Sequence, residues 1–115
     1  MRYLIVDDSE EFLGSATRLL NSQGVEIVGV ASSAGEALRL AEVLAPDVVL
    51  VDIELGDEDG FELTRKLATQ WPSTRVVLIS AYEREELGEL IAESPAVGFM
   101  AKGALGAAAI EGLLG

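Results

Sequence analysis

Short apolar runs alternate along the chain with segments whose apolar residues recur at helical spacing. The clearest run, residues 48–51, is apolar throughout, follows Pro46 and ends on Asp52. A continuous apolar run of this length is typical of a strand that is buried on both faces of a sheet. We therefore predict a strand over residues 47–52 that brings Asp52 to the surface at its carboxyl end.

Similar apolar runs predict the remaining strands of the same sheet. These runs lie at residues 3–6, 25–30, 75–80 and 98–102. Because a helical segment follows each strand, the alternation favours an α/β fold, a parallel sheet with helices on both faces and right-handed crossovers. We expect one domain over residues 1–115, with no output domain, in which the carboxyl ends of the strands share one edge.

Start and stop signals delimit the predicted helices. Ser9 and Ser33 are suitable N-cap residues, Gly24 is a stop, and Pro46 and Pro72 close the second and third helices. The third, fourth and fifth helices are predicted over residues 60–71, 82–93 and 104–115. The apolar positions expected to face the core are Phe12, Ala16, Leu19, Leu20, Ala37, Leu38, Ala41, Leu44, Phe61, Leu63, Leu67, Ala68, Leu87, Leu90 and Ile91.

The composition restricts the available chemistry to oxygen ligands. The chain has no cysteine and no histidine, and its 20 acidic residues against 8 basic ones give a net charge of −12. This balance argues against nucleic-acid binding, which needs clustered Lys and Arg, and suits a hard cation. No apolar run is long enough for a membrane span and the start lacks a signal peptide, so we expect a soluble, cytoplasmic protein.

The predicted strand ends bring Asp7, Asp8, Asp52, Ser80 and Lys102 to one edge of the sheet. Carboxylates without histidine or cysteine are a ligand set for Mg²⁺. A lysine and a hydroxyl at the same edge can bind an additional anion. A metal, a carboxylate nucleophile, a hydroxyl and an ammonium are together the parts needed for phosphoryl transfer to an aspartate.

These residues and their order resemble the receiver domain of response regulators in two-component signalling, which has a flavodoxin-like (βα)5 fold. The resemblance covers essentially the whole chain. The matching pieces are residues 4–9 with their acidic pair, residues 51–53 with the strand-end carboxylate, Asp59 with Gly60, Ser80 with Ala81, and residues 98–102.

The resemblance implies that Asp52 accepts a phosphoryl group from the phosphohistidine of a sensor histidine kinase or a phosphotransfer protein. It implies that Asp8 binds Mg²⁺ directly, Asp7 mainly through water, and the backbone carbonyl of Glu54 completes the protein ligands beside Asp52. The domain would then be a phosphoacceptor regulator, taking part only in its own phosphorylation and dephosphorylation, rather than an enzyme.

The same resemblance implies that Ser80 and Lys102 bind the oxygens of the phosphoryl group. Phe99 matches the switch aromatic, whose ring turns inward when Ser80 is drawn to the phosphoryl group. Activation would rearrange the surface formed by the fourth helix, fifth strand and fifth helix. This surface, with the almost uncharged segment 104–115, is also the expected contact of a possible homodimer.

Some positions depart from the common pattern of the family. Gly56 and Gly103 occupy positions where prolines are frequent in the family. Because glycine loses more backbone freedom than proline when a loop becomes ordered, both residues predict looser loops. Glu54 and Tyr82 occupy variable positions that are expected to affect the lifetime of the acyl phosphate.

Two other classes of protein remain open at this point. An enzyme of the haloacid-dehalogenase type also phosphorylates an aspartate at a strand end, and Glu54 has the spacing of its second acid, but the acidic pair and the small size fit poorly. The other class is a phosphorylation-independent interaction module with a receiver-like fold. Failure of phosphorylation in a folded, Mg²⁺-binding domain would favour that module.

Overall fold

A computed structural model of the chain describes residues 1–81 and 85–115. The five strands of the main sheet and the five α-helices alternate in the order that the sequence predicts, and two further short strands follow the third strand. In chain order they are β1 (Arg2–Val6), α1 (Glu10–Ser22), β2 (Glu26–Ala31), α2 (Ala34–Leu44), β3 (Val48–Asp52), β4 (Glu54–Leu55), β5 (Glu58–Asp59), α3 (Gly60–Gln70), β6 (Arg75–Ser80), α4 (Gly88–Glu93), β7 (Gly98–Ala101) and α5 (Ala107–Leu114).

The main sheet has five parallel strands in the order β2-β1-β3-β6-β7. This is the flavodoxin-like order, so the predicted fold class is confirmed. The central strand β3 is buried along its whole length, as expected for a continuous apolar run. Asp52 pairs with Ile79 of β6 and ends β3 at the carboxyl edge of the sheet. The order reverses beside β1 and β3, where open α/β sheets place their ligand sites.

Helices cover both faces of the sheet and give the domain two hydrophobic clusters. Helices α1 and α5 pack on one face through residues that include Leu13, Leu20 and Ile110. Helices α2, α3 and α4 pack on the other face. The prediction of Leu19 as a core residue is wrong, because the buried stripe of α1 follows Leu13 and leaves Leu19 39% exposed.

The fourth helix is shorter than predicted. A 3₁₀ turn at Glu85–Leu87 precedes α4, and the predicted start of the helix at Tyr82 lies outside the described residues. Leu87 and Ile91 are half-buried as expected, whereas Leu90 is exposed. Gly88 lies where the 3₁₀ turn changes to α-helix, consistent with the low helix propensity of glycine.

The last strand and helix also have corrected boundaries. Strand β7 ends at Ala101, and a 3₁₀ turn follows it at Lys102–Ala104. The sequence pattern instead predicts Lys102 as the end of the strand and Ala104 as the start of the helix. Helix α5 starts only after Gly106, which is its N-cap. Glycines 103 and 106 make a continuous helix through this segment unfavourable.

The loop expected after Asp52 contains the antiparallel hairpin of β4 and β5, in which Leu55 pairs with Glu58. Its turn includes Gly56, whose backbone has φ of +61°. Proline is fixed near −65° and cannot adopt this conformation, which explains the departure from the family pattern at this position. None of the helices that the structure describes is long and apolar enough to cross a membrane.

Candidate metal and phosphoacceptor site

A pocket of about 240 Å³ lies at the carboxyl edge of the main sheet. Its walls come from the ends of β3 and β6 and from the segments that follow β1, β3, β6 and β7. The residues that line it are Asp8, Asp52, Glu54, Gly56, Ser80, Ala81 and Lys102. The structure therefore brings five of the predicted site residues into one cavity, with Asp7 beside them, and leaves Phe99 outside its walls.

Asp52 lies at the end of β3 with only 5% of its surface exposed. One carboxylate oxygen, Oδ1, accepts a hydrogen bond of 3.0 Å from the backbone N–H of Glu54. The other, Oδ2, lies 3.3 Å from the ammonium of Lys102. Burial and the nearby charge of Asp7 raise the pKa of Asp52 from 3.8 to about 6, although the Glu54 N–H and the Lys102 charge oppose this increase.

Asp7 and Lys102 form the closest ion pair of the site. Asp7 is fully buried, and its Oδ1 accepts a hydrogen bond of 2.9 Å from the N–H of Ser9. Its Oδ2 lies 2.5 Å from Nζ of Lys102. Burial alone would lower the pKa of Lys102, but the hydrogen bond to Asp7 and the charges of Asp52 and Asp7 outweigh it and raise that pKa. The lysine is therefore held in its charged form between two carboxylates.

Asp7, Asp8 and Asp52 form a cluster that could hold a metal ion. Each offers one carboxylate oxygen, and these oxygens lie within 4.8 Å of one another. Asp8 is exposed to the pocket, whereas the other two are buried. An all-oxygen set of this charge suits a hard divalent cation. The backbone carbonyl of Glu54 as a further ligand stays a prediction, although Glu54 lines the same pocket.

Ser80 and Phe99, the predicted switch pair, lie on neighbouring strands. Ser80 ends β6, is buried and lines the pocket, and its backbone pairs with Ala101. Phe99 pairs with Leu78, two residues further from the carboxyl edge, and its half-buried side chain packs against the cluster beneath α4. The phenylalanine also lines a separate cavity beside α4. The switching role of the pair stays a prediction.

The sequence pattern missed two contacts, one within the site and one on the hairpin beside it. The ammonium of Lys102 lies 4.3 Å from the centroid of the Phe12 ring, and no sequence signal links these distant residues. Oε1 of Glu58, on the hairpin, accepts a hydrogen bond of 3.0 Å from the N–H of Ala34 in the first turn of α2. The Gly56-Asp57 turn, a two-residue hairpin signal, could have indicated the β4–β5 pairing.

The structure gives a physical reason for the Asp59–Gly60 pair. Asp59 is the N-cap of α3 and accepts a hydrogen bond of 2.9 Å from the N–H of Phe61. A Cβ on Gly60 would lie 2.2 Å from the backbone oxygen of Asp52 and 2.8 Å from Cα of Ile53. Only glycine allows α3 to begin this close to the end of β3.

A parallel sheet in flavodoxin-like order, with a half-buried lysine among aspartates at its carboxyl edge, defines the class of receiver-like α/β domains. The family model of the response regulator receiver domain matches residues 3–110. The chain belongs to this family and is a response regulator receiver domain of two-component systems.

Known proteins with similar sequences and structures agree with this assignment. The response regulator GacA of Pseudomonas viridiflava is 37% identical over 105 residues, which cover 90% of this chain and 49% of GacA. The receiver domain of the response regulator NarL from Mycobacterium tuberculosis has a TM-score of 0.86 at 28% identity, over 99% of this chain and 96% of that one. The chain spans about half the length of the curated relatives it matches, 49% in the case of GacA.

A further solved structure is a response regulator protein from Burkholderia pseudomallei with a phosphorylated aspartic acid, a calcium ion and citrate. Its TM-score is 0.85 at 26% identity, over 99% of this chain and 66% of that one. Both this relative and the NarL domain share the overall fold of the present chain.

Proposed function

We propose that this receiver domain accepts a phosphoryl group on Asp52 from the phosphohistidine of a sensor histidine kinase or a phosphotransfer protein. The observation that carries the proposal is the position of Asp52, almost buried beneath a pocket and held between a backbone N–H and the Lys102 ammonium. An oxygen of Asp52 attacks phosphorus, the bond from phosphorus to the histidine nitrogen breaks, and the imidazole leaves with the electron pair of that bond.

Asp7, Asp8, Asp52 and the backbone carbonyl of Glu54 are the residues that would hold Mg²⁺ in this reaction. The all-oxygen donor set and the mutual approach of the three carboxylates support this assignment. When bound, Mg²⁺ supplies positive charge for the oxygens of the transferring group. Its charge would also offset the repulsion from Asp7, which together with the larger effect of burial raises the pKa of Asp52.

Lys102 and Ser80 bind the oxygens of the phosphoryl group once it is on Asp52. The ammonium of Lys102 already lies 3.3 Å from Oδ2 of the acceptor, so a short movement brings it to a phosphoryl oxygen. The Ser80 hydroxyl donates from the end of the adjacent strand. A charge-assisted hydrogen bond contributes roughly 1.5–3 kcal/mol, which is enough to shift a two-state loop.

The movement of Ser80 passes to Phe99 on the neighbouring strand and then to the surface of α4, β7 and α5. Phe99 supports this route because it packs against the same hydrophobic cluster as Ile91 of α4 and lines a cavity together with Gly88 and Ile91. We propose that this surface carries the output of the domain, including contact with a second copy of the chain. In this role the domain is a regulator that takes part in its own phosphorylation and dephosphorylation.

Intact-mass measurement after incubation with Mg²⁺ and acetyl phosphate tests the proposal. The wild type should gain one phosphoryl group, Asp52→Asn should gain none, and a chelator should prevent the gain. Asp57→Asn, an exposed acid on the nearby hairpin turn, is the matched control and should be phosphorylated like the wild type. A wild type that neither gains mass nor binds beryllofluoride would favour a phosphorylation-independent interaction module instead.

A further inference from the structure

Two residues near the junction of β1 and α1 contact the lysine of the site. Asp7, at the start of this junction, pairs with the Lys102 ammonium at 2.5 Å. Phe12, in the first turns of α1, places its ring centroid 4.3 Å from the same ammonium. The local hydrogen bonds fix this arrangement, since Asp7 accepts from the Ser9 N–H and the Ser9 hydroxyl accepts from the Phe12 N–H.

The position of the ring is fixed by packing as well as by these hydrogen bonds. Phe12 is half-buried and lies against the hydrophobic cluster between α1, α5 and the sheet. Lys102 is also largely enclosed, with 19% of its side chain exposed. A cation over an aromatic face is attracted by the ring quadrupole, and the attraction is stronger where water is excluded. An aliphatic side chain would fill the same space without this attraction.

From this contact we propose that Phe12 is the positioning residue for Lys102, holding its ammonium beside the acceptor carboxylate. The proposal rests on the proposed function, because Lys102 acts there on the phosphoryl oxygens. A lysine side chain has four rotatable bonds and a strongly hydrated head, so it reaches water readily when one side of it is open. The Phe12 ring covers one side of the ammonium, which also contacts Asp7 and Asp52 and lines the pocket.

The ring also suits the movement that phosphorylation requires. As negative charge arrives on the phosphoryl oxygens, the ammonium must shift away from Asp7 towards the group on Asp52. A flat aromatic face lets the cation slide while keeping it within contact distance. Small losses of alignment have large effects on transfer rates, because proximity and orientation are the main contributions of the protein to phosphoryl transfer.

The test compares the second-order rate constant for phosphorylation by acetyl phosphate, at saturating Mg²⁺, among variants at position 12. Phe12→Leu should be about ten-fold slower than the wild type, as expected for loss of a partly desolvated cation–π contact. Phe12→Tyr and Phe12→Trp keep an aromatic face and should stay within about two-fold of the wild-type rate. Leu19→Ala, an exposed position on the same helix, is the control and should leave the rate unchanged.

A second readout needs no phosphorylation. In the wild type without donor, the ring current of Phe12 should shift the ε-methylene protons of Lys102 upfield in NMR spectra. Phe12→Leu should abolish that shift, and the Tyr and Trp variants should retain it. Thermal unfolding confirms that each variant is folded, and Phe12→Met replaces Phe12→Leu if the latter does not fold.

The outcomes separate this proposal from the proposed function. If the wild type is phosphorylated and Phe12→Leu reacts at the same rate, the role of Phe12 alone is overturned. The same holds if the Tyr and Trp variants react as slowly as Phe12→Leu. Absence of the upfield shift in the wild type would do the same. A wild type that takes up no phosphoryl group would overturn both proposals.

Discussion

The ammonium of Lys102 lies 2.5 Å from Oδ2 of Asp7, a carboxylate with no exposed surface. A buried charge is tolerated only when it is paired and hydrogen-bonded, so this lysine is needed for the folded state as well as for the proposed chemistry. The same ammonium reaches Asp52 at 3.3 Å, and the two acids therefore depend on one cation.

Replacement of this cation should be far more costly than replacement of a surface lysine. We expect Lys102→Met to lower the free energy of unfolding by about 2 kcal/mol in metal-free buffer, because it leaves Asp7 unpaired in the interior. Lys66→Met is the control, since Lys66 pairs with Glu62 at 3.5 Å on an exposed face and should cost at most about 0.5 kcal/mol. Urea unfolding measures both, and equal losses would contradict the expectation.

The raised pKa of Asp52 predicts how stability depends on pH. The pKa is about 6 in the folded state against 3.8 ordinarily, so the folded state holds the proton more tightly. The protonated Asp52 side chain therefore stabilises the folded state. This contribution is fully present below pH 3.8 and is lost as the pH rises through 6. Without metal, Asp52→Asn should therefore be more stable than the wild type at pH 7.5 by roughly 2 kcal/mol, with no difference near pH 3.5.

Chemical unfolding at several pH values, in the presence of a chelator, checks this expectation. The comparison of two proteins cancels the titration of the many other acids in the chain. A difference between wild type and Asp52→Asn that does not change with pH would show that burial and the charge of Asp7 do not control this carboxyl group.

Sequence patterns predicted the parallel sheet and the pocket residues because both depend on local signals. The length of the apolar run before Asp52 and the proline before it favour a buried strand, and parallel strands bring their carboxyl ends to one edge. The prediction for α1 is wrong at Leu19, because Leu13 and Leu19 are both apolar and tertiary packing decides which one faces the sheet.

Contacts between distant segments had no local signal. The Phe12–Lys102 contact depends on how closely α1 approaches the end of β7, and periodicity alone does not give this distance. The same holds for the bond between Glu58 and the start of α2. The roles of Asp7, Glu54, Ser80 and Phe99 stay predictions, whereas the variants at Asp8 and Asp52 test the roles of those two residues.

Asp8 is the exposed acid of the cluster and should contribute directly to cation affinity. We expect Asp8→Asn to weaken Mg²⁺ binding about ten-fold, because it removes one charged oxygen ligand. Asp57→Asn removes the same charge from the hairpin turn, at a residue that does not line the pocket, and should leave affinity nearly unchanged. Calorimetric titration with Mg²⁺ distinguishes the two, and similar losses would indicate a general charge effect instead of ligation.

Gly60 should tolerate no side chain. A Cβ there would lie 2.2 Å from the backbone oxygen of Asp52, and backbone atoms cannot move aside as a flexible side chain would. We expect Gly60→Ala to lower the free energy of unfolding by about 3 kcal/mol. Gly35→Ala is the control, since a Cβ meets nothing within 4 Å in α2, and it should be neutral or slightly stabilising. Thermal and urea unfolding of both variants provide the measurement.

The hydrogen bond from the Ala34 N–H to Glu58 links the hairpin beside the pocket to helix α2. Because the first N–H groups of a helix have no partner within it, Glu58 satisfies one that Ser33 does not. Glu58→Ala should accelerate hydrogen exchange of the Ala34 amide about five-fold and lower stability by about 1 kcal/mol. Asp57→Ala, next to it in the turn, should leave that amide unchanged. Unchanged exchange in Glu58→Ala would show that water replaces the carboxylate without cost, and that the hairpin and α2 are not coupled through this bond.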